Sequence, residues 1–543
     1  MMPFQNAGCR VRIGITGHRA LPDAERIARR FRRFLENQIH ELLGGGRPRP
    51  ENVPVSFCAV TSLAEGADRI LAREVLRQPG GSIEVVLPMA AQDYAADFNT
   101  PESRAEFSEL CGAASSITVL NGHLADTEPN GPQAGGARPS AYEDAGRYIV
   151  DHCDLLAAVW DGGKSRGPGG TAEVVEYARE CGRPLVVFPS LDPGAPKIEK
   201  GAGVGVRLED LALLNRIAAD EIQGNYLANV TRDLFEGAGA APLSEAVRTP
   251  LREGLLPFYV AASLLAKKNQ RRRNLAGLLV PILSLAAVAA VALGVLFRPI
   301  SPLAFAVELF LLLTVLWVLA VSEMRRNQQR WLEFRVLAER LRCAVFLAVS
   351  DVEPEPRHSP SDWTAAAAHE IGERVRRRLS PAAGWPEARD FVLNRWVARQ
   401  RDFHKSRAER MGRRGKRLRR LSKAMFLLAI AVSAAHVFVF DVLGHYAGRE
   451  IAPESAWVAL SFLAVVLPAA GAAVASIRSQ REYERQAGQS REMERRLAEL
   501  QRRLAAARSR EELVPLVRQV CRLCIQDAQD WRGLMHSAVV EAV

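Results

Sequence analysis

The 543-residue chain lacks several features that would place it quickly. Its eight cysteines are scattered, and the one CxxC, Cys521 and Cys524, has no two further ligands at the spacing a zinc site needs. That pair reads as helix packing, and no metal is expected. The N-terminus has no basic stretch followed by an apolar core and a cleavage site, so no signal peptide is read, and the thiols are expected to be reduced in a cytosolic setting. Neither the GxGxxG dinucleotide fingerprint nor a Walker A loop is present, which argues against an ordinary NAD dehydrogenase or P-loop ATPase. Residues 1–240 also lack a basic excess: they carry 25 Lys and Arg against 32 Asp and Glu.

The formal charge of +11 therefore belongs to the remainder, with 47 basic and 29 acidic residues. There the cations crowd beside apolar runs, at Lys267 and Lys268, at Arg271 to Arg273, at Arg325 and Arg326, and over 407–423. This is the positive-inside pattern, and it excludes a nucleic-acid face as the first reading. Four runs, 275–297, 303–322, 424–443 and 456–477, approach the ~20 residues needed to span a bilayer. They predict two transmembrane hairpins with both termini and the 323–423 segment in the cytoplasm of a bacterial-type inner membrane. Residues 241–274 form a basic helical stem, and 478–543 a C-terminal cytoplasmic helical region. A long charged helix follows each hairpin, which suggests an internal duplication. Leu497, Leu500 and Leu504 give the second helix an apolar stripe that suits either a solvated helix or a coiled-coil stalk. Glu308 and His436 lie inside apolar runs; Glu308 is close enough to the outer interface to reach water, which is favoured over pore lining, and for His436 a hydrogen-bonded packing role is favoured.

Residues 1–240 alternate short apolar runs with helical patterns. Strands are expected over 11–16, 55–60, 83–87, 117–120, 155–160 and 185–188, and helices over 23–43, 67–76 and 171–181. Near-continuous apolar strands alternating with helices predict a parallel α/β sheet covered on both faces. The Gly-, Pro- and Asn-rich segment 121–140 reads as a mobile loop, and 197–205 as another.

Three segments fall where such a sheet presents a ligand, just after strands. IGITGHR at 13–19 supplies Gly14 and Gly17 for a tight turn, then His18 and the forked donor Arg19. SLAEGADR at 62–69 has Gly66 opening a helix, with Glu65 and Asp68 able to accept from a ribose or base, and Arg69 beside them. WDGGKSRGPGGTAE at 160–173 contains Asp161 and places Gly169, Gly170 and Thr171 at a helix start, where free N–H groups favour an anion.

These three motifs, with GPGGTAEVVEYAR, resemble the SLOG superfamily, the Rossmann-like group that includes the LOG phosphoribohydrolases and DprA proteins. The resemblance covers about residues 10–190. WLEFRVLAERLR after the first hairpin and DAQDWRGLM near the end resemble the SLATT effectors that accompany SLOG domains in bacterial defence. The resemblance implies a Rossmann-like sensor of a nucleotide-derived ligand joined to an all-α membrane region. LOG enzymes carry PGGxGTxxE, whose Glu acts on the glycosidic bond. This chain reads PGGTAE, so Glu173 follows Thr171 by two residues rather than three, a rotation of about 100° on a helix. The cradle carries over better than catalysis.

The expectation is thus a membrane effector for antiviral defence. A nucleotide-type ligand would act through the stem on hairpins that form a pore or otherwise breach the bilayer as a homo-oligomer, with no cofactor and no direct nucleic-acid contact. The rivals are a membrane-tethered nucleoside phosphoribohydrolase using Glu173 and Arg19, and a non-catalytic scaffold.

Overall fold

The computed structural model describes residues 5–39, 50–121, 134–164, 169–192, 194–199, 208–220, 224–236, 243–324, 326–354, 362–379, 383–438 and 454–536. The chain forms two compact units. The first comprises 1–222 and 355–374, the second 223–354 and 375–543.

The first unit is built on a seven-stranded sheet. Its elements are β1 (Cys9–Gly17), α1 (Ala24–Arg33), β2 (Val55–Thr61), α2 (Ala67–Leu76), β3 (Ser82–Leu87), α3 (Ala91–Ala95), α4 (Pro101–Gly112), β4 (Ser116–Val119), α5 (Ala134–His152), β5 (Leu155–Trp160), α6 (Thr171–Glu180), β6 (Leu185–Pro189), β7 (Lys197–Glu199) and α7 (Leu208–Ala218). The strand order is β4-β3-β2-β1-β5-β6-β7, parallel except for β7, which runs antiparallel to β6. The six expected strands are all present within a residue or two. Strand β5 is buried from Leu155 to Val159, and β1 buries Val11, Ile13, Gly14 and Ile15, as a sheet covered on both faces requires.

Three differences from the sequence reading have local causes. Residues 134–140, read as loop, are the first turns of α5 despite Pro139, because the helix gains a packing partner in α6. The expected 23–43 helix is regular only to Arg33 and continues as a π-helix over Phe34–Gln38. Residues 197–199, read as loop, add an antiparallel edge strand. Residues 40–43, 122–133 and 200–205 lie outside the described segments.

A distant stretch of chain completes this unit. In α13 (Trp363–Arg376), Glu370 accepts the Gly8 amide at 3.2 Å, and Arg374 donates to the Gln5 and Asn6 carbonyls at 3.0 and 3.2 Å. From α7, buried Asn215 accepts from the Ala7 amide at 2.8 Å and donates to the Ala7 and Asn52 carbonyls at 2.9 and 2.7 Å. The sequence reading had kept 323–423 as one cytoplasmic segment; the structure assigns 355–374 to the sheet unit.

The second unit is all helical. It contains α8 (Gly224–Phe235), α9 (Glu245–Gly254), α10 (Leu256–Leu296), α11 (Ser301–Met324), α12 (Asn327–Val349), α14 (Trp385–Phe391), α15 (Ala398–His436), α16 (Glu454–Arg481), α17 (Tyr483–Ala506) and α18 (Arg510–His536). Among the described residues three stretches are long and apolar enough to cross a membrane: Leu256–Leu296, Arg298–Val349 and Ser455–Ala506. Residues 439–453 lie outside the described segments, and with them the end of the expected 424–443 span. The expected stem, 241–274, divides between α9 and α10, and α10 carries its part from Leu256 into the first apolar run as one helix.

The helices repeat an arrangement. α10 packs along both α11 and α12, and α15 packs along both α16 and α17. Between α11 and α12 the chain turns at Arg326, with φ 48° and ψ 36°; between α16 and α17 it turns at Glu482 with the same angles. Each is a left-handed residue that is not glycine, a conformation costing roughly 1–2 kcal/mol. Finding it twice, at matching places, supports the duplication that the sequence match alone carried weakly. The stripe of Leu497, Leu500 and Leu504 is buried within the chain, where α17 packs on α15 and α18, so α17 is neither wholly solvated nor a free stalk. Cys521 and Cys524 are buried on α18 beside Cys343 of α12.

Close approach of α5 to β1 depends on Gly14. A Cβ there would lie 2.8 Å from the Cys153 sulfur and 2.9 Å from Ile149 Cγ2. Gly14→Ala is expected to destabilise the sheet unit by about 1–3 kcal/mol. Cys153→Ala in the same chain should restore part of that loss. A thermal or denaturant double-mutant cycle checks this, and additive effects would contradict it.

Candidate functional site

The strand order locates the site. From β1 the chain builds β2, β3 and β4 to one side, then returns to place β5 on the other, with Gly17 paired to Val159. In an open parallel sheet the crevice at the carboxyl ends of the strands where the order reverses is where ligands bind. The loops after β1 and β5 meet there. The His18 amide donates to the Val159 carbonyl at 3.1 Å, and the Asp161 amide donates to His18 Nε2 at 3.2 Å. Asp161 Oδ1 lies 3.2 Å from the same nitrogen. The neutral ring therefore accepts from the amide, and the protonated ring faces the carboxylate. Asp161 Oδ1 also accepts the Gly163 amide at 2.8 Å, which closes the turn.

The third loop, after β2, is pressed against the first. Gly66 opens α2 with φ 79°, and a Cβ there would lie 2.1 Å from the Arg19 carbonyl oxygen. A Cβ on Gly17 would lie 2.5 Å from that of Ala67. The Ala67 amide donates to the His18 carbonyl at 3.2 Å. The glycines of both motifs therefore serve one purpose, letting the main chain of 17–19 run across the start of α2. Buried Leu63 takes a left-handed φ of 56°, held by its amide on Thr61 Oγ1 at 3.1 Å.

The charged residues of these loops have separate fates. Arg19 is exposed and has no hydrogen-bond or ion-pair partner among the described residues. Its charge bears on Asp68, Tyr94 and Tyr142, which places it beside all three. Arg69 is committed elsewhere: it donates to the Leu63 carbonyl and to Ser103 Oγ at 3.0 and 2.9 Å, pairs with Glu106 at 3.0 Å, and lies over Phe98. Glu65 accepts from Ser103 Oγ as well. These two side chains fasten the loop to α4. Asp68, 5% exposed, accepts from Thr61 Oγ1 at 2.9 Å; burial pushes its carboxyl up to about 7, against the opposing pull of Thr61, the Ala64 amide and Arg19.

After β5, Gly169 has φ 73°, and a Cβ there would lie 2.7 Å from that of Tyr142. Gly170 caps α6, and Thr171 is its first residue. Glu173 Oε2 accepts the Gly169 amide at 2.8 Å, so the carboxylate reaches back over the helix start much as a capping box does. Residues 165–168 lie outside the described segments.

The structure adds a wall that the sequence reading missed. Tyr142 of α5 bonds Asp97, which also pairs with Arg138 at 2.7 Å, and the Tyr142 ring lies 6.1 Å from that of buried Tyr94. Gly169 and Arg19 both border this wall, so the first and third motifs share it. The only signal in the sequence was the amphipathic spacing after 138, obscured by the Gly- and Pro-rich run before it. Among the described residues no group of three His, Cys, Asp or Glu could hold a metal. Comparison with protein-family models, with curated proteins and with solved structures finds no match.

Because Asp68 keeps its proton to higher pH in the fold than in the unfolded chain, the native state binds more protons between about 4 and 7. Stability must then fall as pH rises through that window. Asp68→Asn keeps an acceptor for Thr61 and removes the ionisation. Above pH 7 it should be more stable than the parent by at most about 4 kcal/mol, with the two converging near pH 4. Denaturant titration at pH 4.5, 6 and 8 checks this, and a parallel offset at all three would contradict it.

Proposed function

We propose that this chain is a membrane-bound sensor and effector, in the manner of a SLOG domain joined to a SLATT-like membrane region. The observation that carries the reading is the meeting of three strand-end loops at the switch point around Arg19, in a chain whose second unit has bilayer-length apolar helices. Arg19 supplies a forked cation, and the start of α6 at Gly170 and Thr171 supplies amides beyond the Gly169 amide that Glu173 already holds. Together they suit the phosphate of a nucleotide-derived ligand. The Tyr142 and Tyr94 wall suits its base. Glu173 is engaged in holding its own loop, which favours sensing over hydrolysis of a glycosidic bond.

On this reading the apolar end of α15 makes a fourth crossing. Its exposed Leu427 and Ile430, 68% and 67% accessible, support that. Two hairpins then leave both termini and the 323–423 segment in the cytoplasm, and the output is the bilayer itself, breached in a defence response. Assembly of a homo-oligomer would use surfaces other than the covered leucine stripe of α17.

The sensor is tested by mass spectrometry of small molecules retained by the purified full chain. A phosphorylated nucleoside derivative should be retained by the parent. It should be lost, by roughly tenfold or more, from folded Arg19→Ala, in keeping with a charge-assisted bond of about 1.5–3 kcal/mol. Gly170→Val should lose it too. Retention unchanged in both would remove the site. Topology is tested with reporter fusions at residues 300, 380 and 543: only the first should read as external, and an external signal at 380 or 543 would overturn the two-hairpin arrangement.

A further inference from the structure

The second unit carries a surface that a sensor does not need. Between residues 413 and 423 of α15 there are seven Lys and Arg, every one exposed, and no acid. At 100° per residue they cover the face opposite Gly415 and Ser422, which are buried. Gly415 packs on Tyr483, and Ser422 Oγ donates to the Gly471 carbonyl at 3.1 Å, so that opposite face is fixed against α16 and α17. Among the described residues the cations have few ion-pair partners. Arg413 lies 3.6 Å from Glu409, and Arg419 lies 3.7 Å from Glu484.

The neighbouring α17 shows what a solvated charged helix looks like in this protein. Its Arg495 and Arg496 pair with Glu492, and its Arg502 pairs with Glu499. Within residues 413–423 of α15 no acid interleaves the cations. Instead the cationic face leads straight into an apolar one on the same helix, where Leu421, Phe426, Leu427, Leu428 and Ile430 are 42–68% exposed. The two faces meet between Lys423 and Phe426.

We propose that this face of α15 is a contact surface for anionic phospholipid headgroups. The inference rests on the reading that the apolar end of α15 enters the bilayer, and it goes further, because it assigns a lipid preference to named side chains. The rise of 1.5 Å per residue puts Arg413 about 15 Å from Lys423. The last cations therefore lie at headgroup level, and the first within roughly two Debye lengths of the surface. Each cation near an anionic leaflet adds to the attraction, and seven with almost no internal acid give a surface that discriminates phosphatidylglycerol from phosphatidylcholine.

The test uses the full chain reconstituted in nanodiscs of equal phosphatidylglycerol and phosphatidylcholine, with retained lipids counted by native mass spectrometry. The parent should retain phosphatidylglycerol in excess. Replacing Arg413, Arg414, Arg417 and Arg420 by Gln should cut that preference at least tenfold, and replacing them by Lys should preserve it. Excess inorganic phosphate should not displace the lipid. An equal lipid ratio for parent and Gln variant overturns the proposal. So does displacement by phosphate, which would mark a free-anion site, or loss of co-purified RNA instead of lipid, which would mark a nucleic-acid face. Aqueous maleimide labelling of Leu428→Cys in intact vesicles, against a Cys181→Ser background, tests the underlying membrane reading separately. Rapid labelling shows that the apolar end is in water, whatever the lipid counts.

Discussion

The candidate site depends on one steric fact: the main chain after β1 crosses the start of α2 with no room for a side chain at Gly66 or Gly17. That contact fixes where His18 and Arg19 emerge. With the backbone of 17–19 held by the Ala67 amide on one side and the Val159 carbonyl on the other, His18 meets Asp161, and the charge of Arg19 bears on Asp68 and Tyr142. The burial of Asp68 follows from the same packing, and that burial is what pushes its carboxyl up. The unusual chemistry of the site is a consequence of how closely two loops must approach.

The helical unit is governed by a different rule, the repetition of one packing unit. A long helix with a basic half and an apolar half lies along two shorter ones, and a left-handed residue sets the angle between those two. Between the repeats, α18 brings in Trp531, whose ring lies under both Arg335 of the first repeat and Arg407 of the second, each 5.1 Å from its centroid. Asp527 on the same helix tempers the two charges and accepts from Gln489 at 2.9 Å. The DAQDWRGLM motif is thus a tie between the repeats.

Much of this was legible in the sequence. Apolar runs and flanking glycines fixed the six expected strands and the helices after β2 and β5, because buried parallel strands leave little freedom of composition. The three loops were legible for the same reason, since close backbone approach demands glycine. The roles of Arg69 and Glu65 were not. A motif shows which residues stand beside a strand end, but whether a guanidinium faces the crevice or α4 depends on Phe98, Ser103 and Glu106, which lie far along the chain. The Tyr94 and Tyr142 wall was hidden because α5 begins in a segment whose local propensity reads as loop. The joining of 363–374 to the sheet unit was hidden because it rests on a few hydrogen bonds from Glu370 and Arg374 to main-chain groups near the N-terminus, which leave no pattern in composition.

The first long helix has a mechanical property that its length conceals. From Leu256 it runs about 38 Å without a break, as a rod that would carry a twist or a push intact. At Pro281 the rod changes character. Proline has no amide proton to give the Gly277 carbonyl, and its ring crowds that same oxygen. Gly277 is also where the other repeat leans in, since a Cβ there would lie 2.8 Å from Gln480 Oε1 of α16. Compliance is thus concentrated at one level, where the basic half gives way to the apolar half and the two repeats touch. Force delivered along α10 would be converted there from axial motion into a change of angle between the repeats.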